Sequence, residues 1–175
     1  MEESDLVKRK HPRLKEFDYG SSGGYFITIC AQNRKQVFSK IARKNDNDIV
    51  GRGLAPAAIV EKTSIGQIVE NELKNTEKRF PNIRISESII MPNHIHLVLL
   101  VEGETAGASP HPTVMDFVCA FKSLATKECK KNGYNAKIFQ TSFYDHIIRN
   151  NDEYMEICNY IRLNLDNWES DELYN

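Results

Sequence analysis

The residues with the clearest chemical potential are His94-Ile95-His96. On a β-strand, side chains at i and i+2 point to the same face, so two imidazoles stand about 7 Å apart along the strand. They can converge on one divalent cation, and neutral imidazole is the commonest side-chain metal ligand. Histidines in this pattern also occur bonded only to backbone or water, so the pair needs a companion. Tyr160-Ile161-Arg162-Leu163-Asn164 offers one. At about 100° per residue, Tyr154, Ile157, Cys158, Ile161 and Leu165 form an apolar helical stripe, and Tyr160 lies about 120° from its centre. Asn164, four residues on, shares the face of Tyr160. A phenol and an amide oxygen presented together flank the buried stripe and can face the histidine pair. On helical geometry alone, a plain surface tyrosine is the stronger reading.

The order of motifs changes that balance. Met91–Val101 (MPNHIHLVLLV), Ala120–Ser123 (AFKS), Phe143–Asn150 (FYDHIIRN) and Tyr160–Asn164 (YIRLN) follow one another along the chain, preceded by Arg13–Arg34 (RLKEFDYGSSGGYFITICAQNR). Together they resemble the REP-associated tyrosine transposases, a branch of the one-tyrosine HUH family of single-strand transposases. The similarity runs from about residue 8 to the C-terminus and is weakest over 42–58 and 102–112. His-X-His alone is a weak signal, whereas four motifs in order are a strong one.

The resemblance implies a ferredoxin-like α+β domain: a central antiparallel sheet, helices mainly on one face, the site on the other. Carried over by position, it makes His94 and His96 metal ligands, Tyr160 the nucleophile and Asn164 a third ligand. The better-known relatives have glutamine where Asn164 stands. Many members follow the asparagine with proline, and Leu165 in that place implies a helix longer by about a turn. The implied reaction is cleavage and rejoining of single-stranded or hairpin DNA through a covalent 5′-phosphotyrosine, supported by Mg²⁺ or Mn²⁺. On ligand type alone, Zn²⁺ or Mn²⁺ also suits the set. Lys122, Lys127 and Arg149 are candidates for backbone contacts, and the basic arm Lys8, Arg9, Lys10 and Arg13 for gripping a hairpin. Phe143 and Tyr144 are read as base-stacking or core residues, and His146 as structural or DNA-contacting. A domesticated, non-catalytic DNA-binding protein is the main alternative, and a hydrolase in which water attacks instead of Tyr160 is the next. Monomer and homodimer are both compatible with the resemblance.

Several elements must position these groups. Tyr25–Ala31 is aromatic and β-branched and reads as a first strand. Ile65, Ile68, Val69, Leu73 and Phe80 set a helical period over Ser64–Phe80, with Ser64 and Gln67 as a capping box. Ile83–Ile90 and His94–Val101 read as a hairpin about Met91-Pro92-Asn93. Thr113 caps a second helix closed by Asn132-Gly133. Residues 138–149 read as a short strand or extended connection. Asn150 or Asn151 caps a last helix over about Asp152–Leu165. Two helices around a hairpin indicate an α+β domain with an antiparallel sheet. No repeat or linker divides residues 1–175, which read as one domain with a basic arm (1–20), a loop or insertion (42–58) and an acidic tail (166–175).

The totals bound the class. Apolar (41%) and charged (27%) fractions are those of a globular chain. No apolar run reaches the roughly 18 residues of a membrane span, and the N-terminus lacks a secretory h-region. The four cysteines make no metal spacing and read as reduced, mostly buried thiols of a cytoplasmic protein, which for a DNA-acting enzyme means work at the nucleoid. A net charge of −1 argues against gripping duplex DNA by charge alone. Its distribution permits a local nucleic-acid surface: residues 113–150 hold six basic and three acidic side chains, and residues 151–175 one and seven.

Overall fold

The computed structural model describes residues 21–43, 58–102, 112–171 and 173. Their order is β1 (Gly23–Cys30), β2 (Ser39–Arg43), β3 (Ala58–Lys62), α1 (Ser64–Glu77), β4 (Ile83–Ile90), β5 (His94–Val101), α2 (Val114–Lys131), β6 (Tyr144–Ile148) and α3 (Asn151–Leu163). Four strands form an antiparallel sheet in the order β4-β5-β1-β6, and β2 pairs with β3 as a separate hairpin. With that hairpin set aside, β1-α1-β4-β5-α2-β6 is the split βαβ pattern of a ferredoxin-like domain. The expected fold class is therefore what the chain adopts. Ala42, Arg43 and Ala58 belong to the hairpin strands rather than to a loop. The rest of 42–58 lies outside the described residues, as does the basic arm 1–20.

Alternation along β1 and β5 decides what each sheet face does. Tyr25, Ile27 and Ile29 with Ile95, Leu97, Leu99 and Val101 join the main core. They pack with Val69 and Leu73 of α1 and with Phe117, Phe121 and Ala125 of α2. Burying one such Leu or Phe side chain stabilises the fold by about 1.5–3 kcal/mol. The intervening residues, Phe26, Thr28, His94, His96 and Val98, turn to the opposite face, where α3 lies with Cys158 and Ile161 buried against Val98. A bulge between Ile85 and Glu87 reverses the parity of β4. Ile83 and Ile85 thus serve the main core, while Ile89 faces α3 opposite His96.

The ends of the helices follow local chemistry with one displacement. Thr113 caps α2 in a reciprocal box with Asp116, and Gly133 takes φ +89° just beyond its end. Asn150 caps α3 by accepting from the Glu153 amide at 2.9 Å. The cap of α1 is Thr63, not Ser64. Its Oγ1 accepts from the Gly66 amide and donates to the Val37 carbonyl at 2.6 Å, a tertiary bond that fixes the helix start one residue early. Gly66 is required there, because a Cβ would lie 1.9 Å from the Phe38 carbonyl oxygen. Phe38 in turn donates its amide to the Pro92 carbonyl in the turn that leads into the histidines. Among the described residues, no helix is long and apolar enough to cross a membrane.

Candidate metal centre and nucleophile

His94 and His96 stand at the start of β5 on the α3 side of the sheet, fully or almost fully buried, with ring centroids 4.4 Å apart. Each has one ring nitrogen fixed by a neighbour. The His94 Nδ1 lies 2.8 Å from the Asn93 side-chain oxygen. The Asn93 amide nitrogen donates to the Leu173 carbonyl, so the atom facing His94 is an acceptor and Nδ1 must carry the proton. His94 Nε2 is then a bare lone pair, buried and without a hydrogen-bond partner. His96 Nδ1 lies 2.9 Å from Thr28 Oγ1, its cross-strand partner on β1. In the tautomer that donates Nδ1–H to Thr28, His96 Nε2 is an acceptor. Histidine ligands are typically oriented through such bonds at the second nitrogen.

Both imidazoles are held neutral. Burial pushes His94 down to about 4, with Asp171 opposing and Arg34 adding to the shift. Burial and the neighbouring His94 hold His96 well below its ordinary value. Neutral imidazole is the form that ligates metal.

Tyr160 projects from α3 toward this pair. Its hydroxyl is 3.4 Å from His96 Nε2, and its ring lies edge-on to Phe26. It is 46% exposed, as its place off the apolar stripe requires. Asn164 is the C-cap residue of α3 and is buried. The helix therefore ends at Leu163, and Leu165 does not prolong it. The chain turns at once into a short 3₁₀ segment, Trp168–Ser170.

That turn brings in a residue that no sequence motif marks. Asn164 Nδ2 donates to Asp171 Oδ2 at 2.8 Å, which leaves Asn164 Oδ1 buried and unpartnered. The ligand atoms of His94, His96 and Asp171 all lie within 4.8 Å of one another. Trp168 packs over His94 with centroids 5.9 Å apart, and the Leu173 amide donates to Asp171 Oδ1. The described part of the acidic tail thus folds onto the histidine pair. Two buried lone pairs without donors, beside a carboxylate, fit a divalent cation: no donor among the described residues satisfies them, and burying them bare is costly.

The other sequence-derived candidates scatter. Lys122 Nζ donates to the Gln140 and Thr141 carbonyls, tying α2 to the segment before β6. Lys127 is exposed on the same helix. Arg149 follows β6 at the sheet end remote from His94, and its amide donates to Glu153. Lys8, Arg9, Lys10 and Arg13 lie outside the described residues. Phe143 is a core residue, whereas Tyr144 is 43% exposed beside Phe26 on the site face. His146 has its Nε2 2.7 Å from Glu153, a contact that ties β6 to the first turn of α3. Of the cysteines, Cys129 and Cys158 are buried and Cys119 is exposed. Asn33 and Arg34 hold left-handed backbone (φ +55° and +52°) in the loop after β1, and the charge of Arg34 acts on His94. Non-glycine residues in this region are uncommon and gather at functional sites.

No family model matches the chain. An uncharacterised protein of Haemophilus influenzae (strain ATCC 51907 / DSM 11121 / KW20 / Rd) is 30% identical over 181 residues, covering 95% of this chain and 93% of that protein. Among solved structures, that of a REP-associated tyrosine transposase bound to a REP hairpin superposes with a TM-score of 0.55 at 19% identity, over 82% of this chain. The match spans 66% of that transposase chain. At this identity the likeness is one of fold. The chain belongs to the family of the Haemophilus influenzae protein and has the fold of the REP-associated tyrosine transposase.

Proposed function

We propose that the chain is a metal-dependent DNA transesterase that cuts and rejoins single-stranded or hairpin DNA, a transposase-type activity, with Tyr160 as nucleophile. The observation that carries this reading is the Tyr160 hydroxyl, 3.4 Å from His96 Nε2, at the margin of a cluster of buried, bare ligand atoms. His94 Nε2, His96 Nε2 and an Asp171 oxygen are the atoms that would hold the cation, with Asn164 Oδ1 as a further ligand. When bound, a divalent cation supplies positive charge that offsets the charge growing on a phosphodiester under attack. Mn²⁺ or Mg²⁺ fits the proposed reaction, and two imidazoles beside oxygen ligands favour Mn²⁺ of the two.

The chain's own groups do the rest. Tyr160 attacks phosphorus, its phenolic proton leaving to water on the exposed side of the ring. A P–O bond to Tyr160 forms as the P–O3′ bond breaks, and the departing 3′ oxygen takes up a proton. The 5′-phosphotyrosine conserves the energy of the broken linkage, so a second 3′-OH can reverse the step and join new ends. Thr28 and Asn93 keep the imidazoles turned with Nε2 toward the cluster. Phe26 and the exposed Tyr144 offer a stacking surface for an unpaired base beside Tyr160.

The test is nicking of a labelled single strand with Mn²⁺, with Mg²⁺ and with chelator. Cleavage that needs the cation and is lost in His94→Ala/His96→Ala supports the reading. Tight DNA binding without cleavage under any cation would transfer it to a non-catalytic DNA-binding protein.

A further inference from the structure

The edge strand β4 carries an irregularity that faces α3. Ile85 pairs with Leu99 and Glu87 with Val98, so Ser86 is an extra residue in a bulge. Consecutive residues of a regular strand point to opposite faces. Here both turn to α3: Ser86 Oγ lies 2.5 Å from the Tyr154 hydroxyl, and Glu87 is ion-paired with Arg162. Tyr154 and Arg162 are eight residues apart, about 12 Å along the helix axis. Two long side chains from opposite ends of that span therefore converge on one dipeptide of the sheet. Tyr160 stands between them in the chain, two residues before Arg162.

We propose that Ser86 and Glu87 are positioning residues that set where Tyr160 stands along the axis of α3, with its hydroxyl against His96. The other contacts of the helix do not do this alone. Cys158 and Ile161 pack on Val98, and such apolar contact fixes the height above the sheet but is non-directional. Glu153, seven residues before Tyr160, ties the first turn to His146 of β6. Asn164 is tied to Asp171, in the chain that follows, rather than to a strand. The Glu87–Arg162 pair is exposed on the arginine side, and exposed pairs add little stability. Its consequence is geometric.

Rate depends steeply on such placement, since a misplacement of about 1 Å can cost about 100-fold. Sliding α3 by that much carries the Tyr160 hydroxyl away from His96 Nε2, 3.4 Å off, and shifts its ring against Phe26. Ser86 and Glu87 act through Tyr154 and Arg162, not on the phosphate. The catalytic part of this inference rests on the proposed Tyr160 nucleophile, whereas the placement of the ring does not.

The experiment reads position and rate separately, in Ser86→Ala/Glu87→Gln and in the charge exchange Glu87→Arg/Arg162→Glu. Position is read in chelator from the fluorine resonance of a fluorotyrosine placed at position 160, where the Phe26 and His96 rings set the local field. Rate is read from single-turnover cleavage of a labelled single strand with Mn²⁺ over a range of DNA concentrations. The expected result in the first variant is a displaced resonance and a cleavage step slower by roughly 10–100-fold, with half-saturation by DNA unchanged. The charge exchange, which keeps Ser86, should bring both back toward wild type. An unmoved resonance, a loss carried by DNA half-saturation instead of the cleavage step, or an exchange that restores nothing overturns the positioning role. A thermal midpoint that falls in step with the resonance assigns the two residues to stability alone and overturns it too. Wild-type protein that cuts no strand overturns the nucleophile, while the resonance still decides the placement.

Discussion

Asn164 and Asp171 hold one another at 2.8 Å, so the cap of α3 and the last turn of the described chain form one unit over the histidine pair. Among the described residues, Asp171 brings the only carboxylate of the cluster. Replacing it by Ala removes the charged member of the proposed ligand set and the partner of Asn164. The expected result is Mn²⁺ affinity, by calorimetry, reduced at least 10-fold, in line with the roughly 10–100-fold losses seen even for the outer partners of metal ligands. Unchanged affinity would show that Asp171 is only a structural clasp.

Thr28 orients rather than ligates. Thr28→Val keeps the shape but removes the partner of His96 Nδ1. Mn²⁺ affinity should fall by about 10–100-fold, and Thr28→Ser should restore it. Equal behaviour of Val and Ser would assign Thr28 to packing alone.

Metal-free protein should weaken in mild acid. The folded state holds His94 at about 4, chiefly through burial, and His96 well below its ordinary 6.5. The unfolded chain takes up these protons near 6.5 while the folded chain refuses them. Stability present at neutral pH is therefore lost progressively as pH falls from about 6.5 toward 4. Urea midpoints in chelator should drop across that window, and less so in His94→Asn. A flat profile would mean that the imidazoles are not sealed from solvent.

Gly66 tests the scaffold that carries the histidines. A Cβ there meets the Phe38 carbonyl, whose residue also bonds Pro92. Gly66→Ala should cost about 1–3 kcal/mol by overpacking. Denaturation with the wild-type midpoint would show that α1 can move away without loss.

Much of this was legible in the sequence because it is periodic or local. The β4–β5 hairpin and the shared face of His94 and His96 follow from alternation about Met91-Pro92-Asn93, and the off-stripe place of Tyr160 from helical rotation. What escaped depends on distant chain. Thr28 orients His96 only through the β1–β5 register, which no local pattern encodes. Asp171 read as tail charge, because nothing in residues 166–175 says that the chain doubles back through Trp168. The cap of α1 moved to Thr63 because a bond to Val37 outweighed an equally good local box at Ser64.

The most direct test of the central claim is covalent capture. Wild-type protein, Tyr160→Phe and His94→Ala/His96→Ala are each incubated with Mn²⁺ and 5′- and 3′-labelled single-stranded hairpin DNA, then resolved on a denaturing gel. The account predicts a protease-sensitive adduct that retains the DNA on the 3′ side of the cut, requires the cation and is absent from both variants. Cleavage that persists in Tyr160→Phe without any adduct would contradict it and make water the nucleophile.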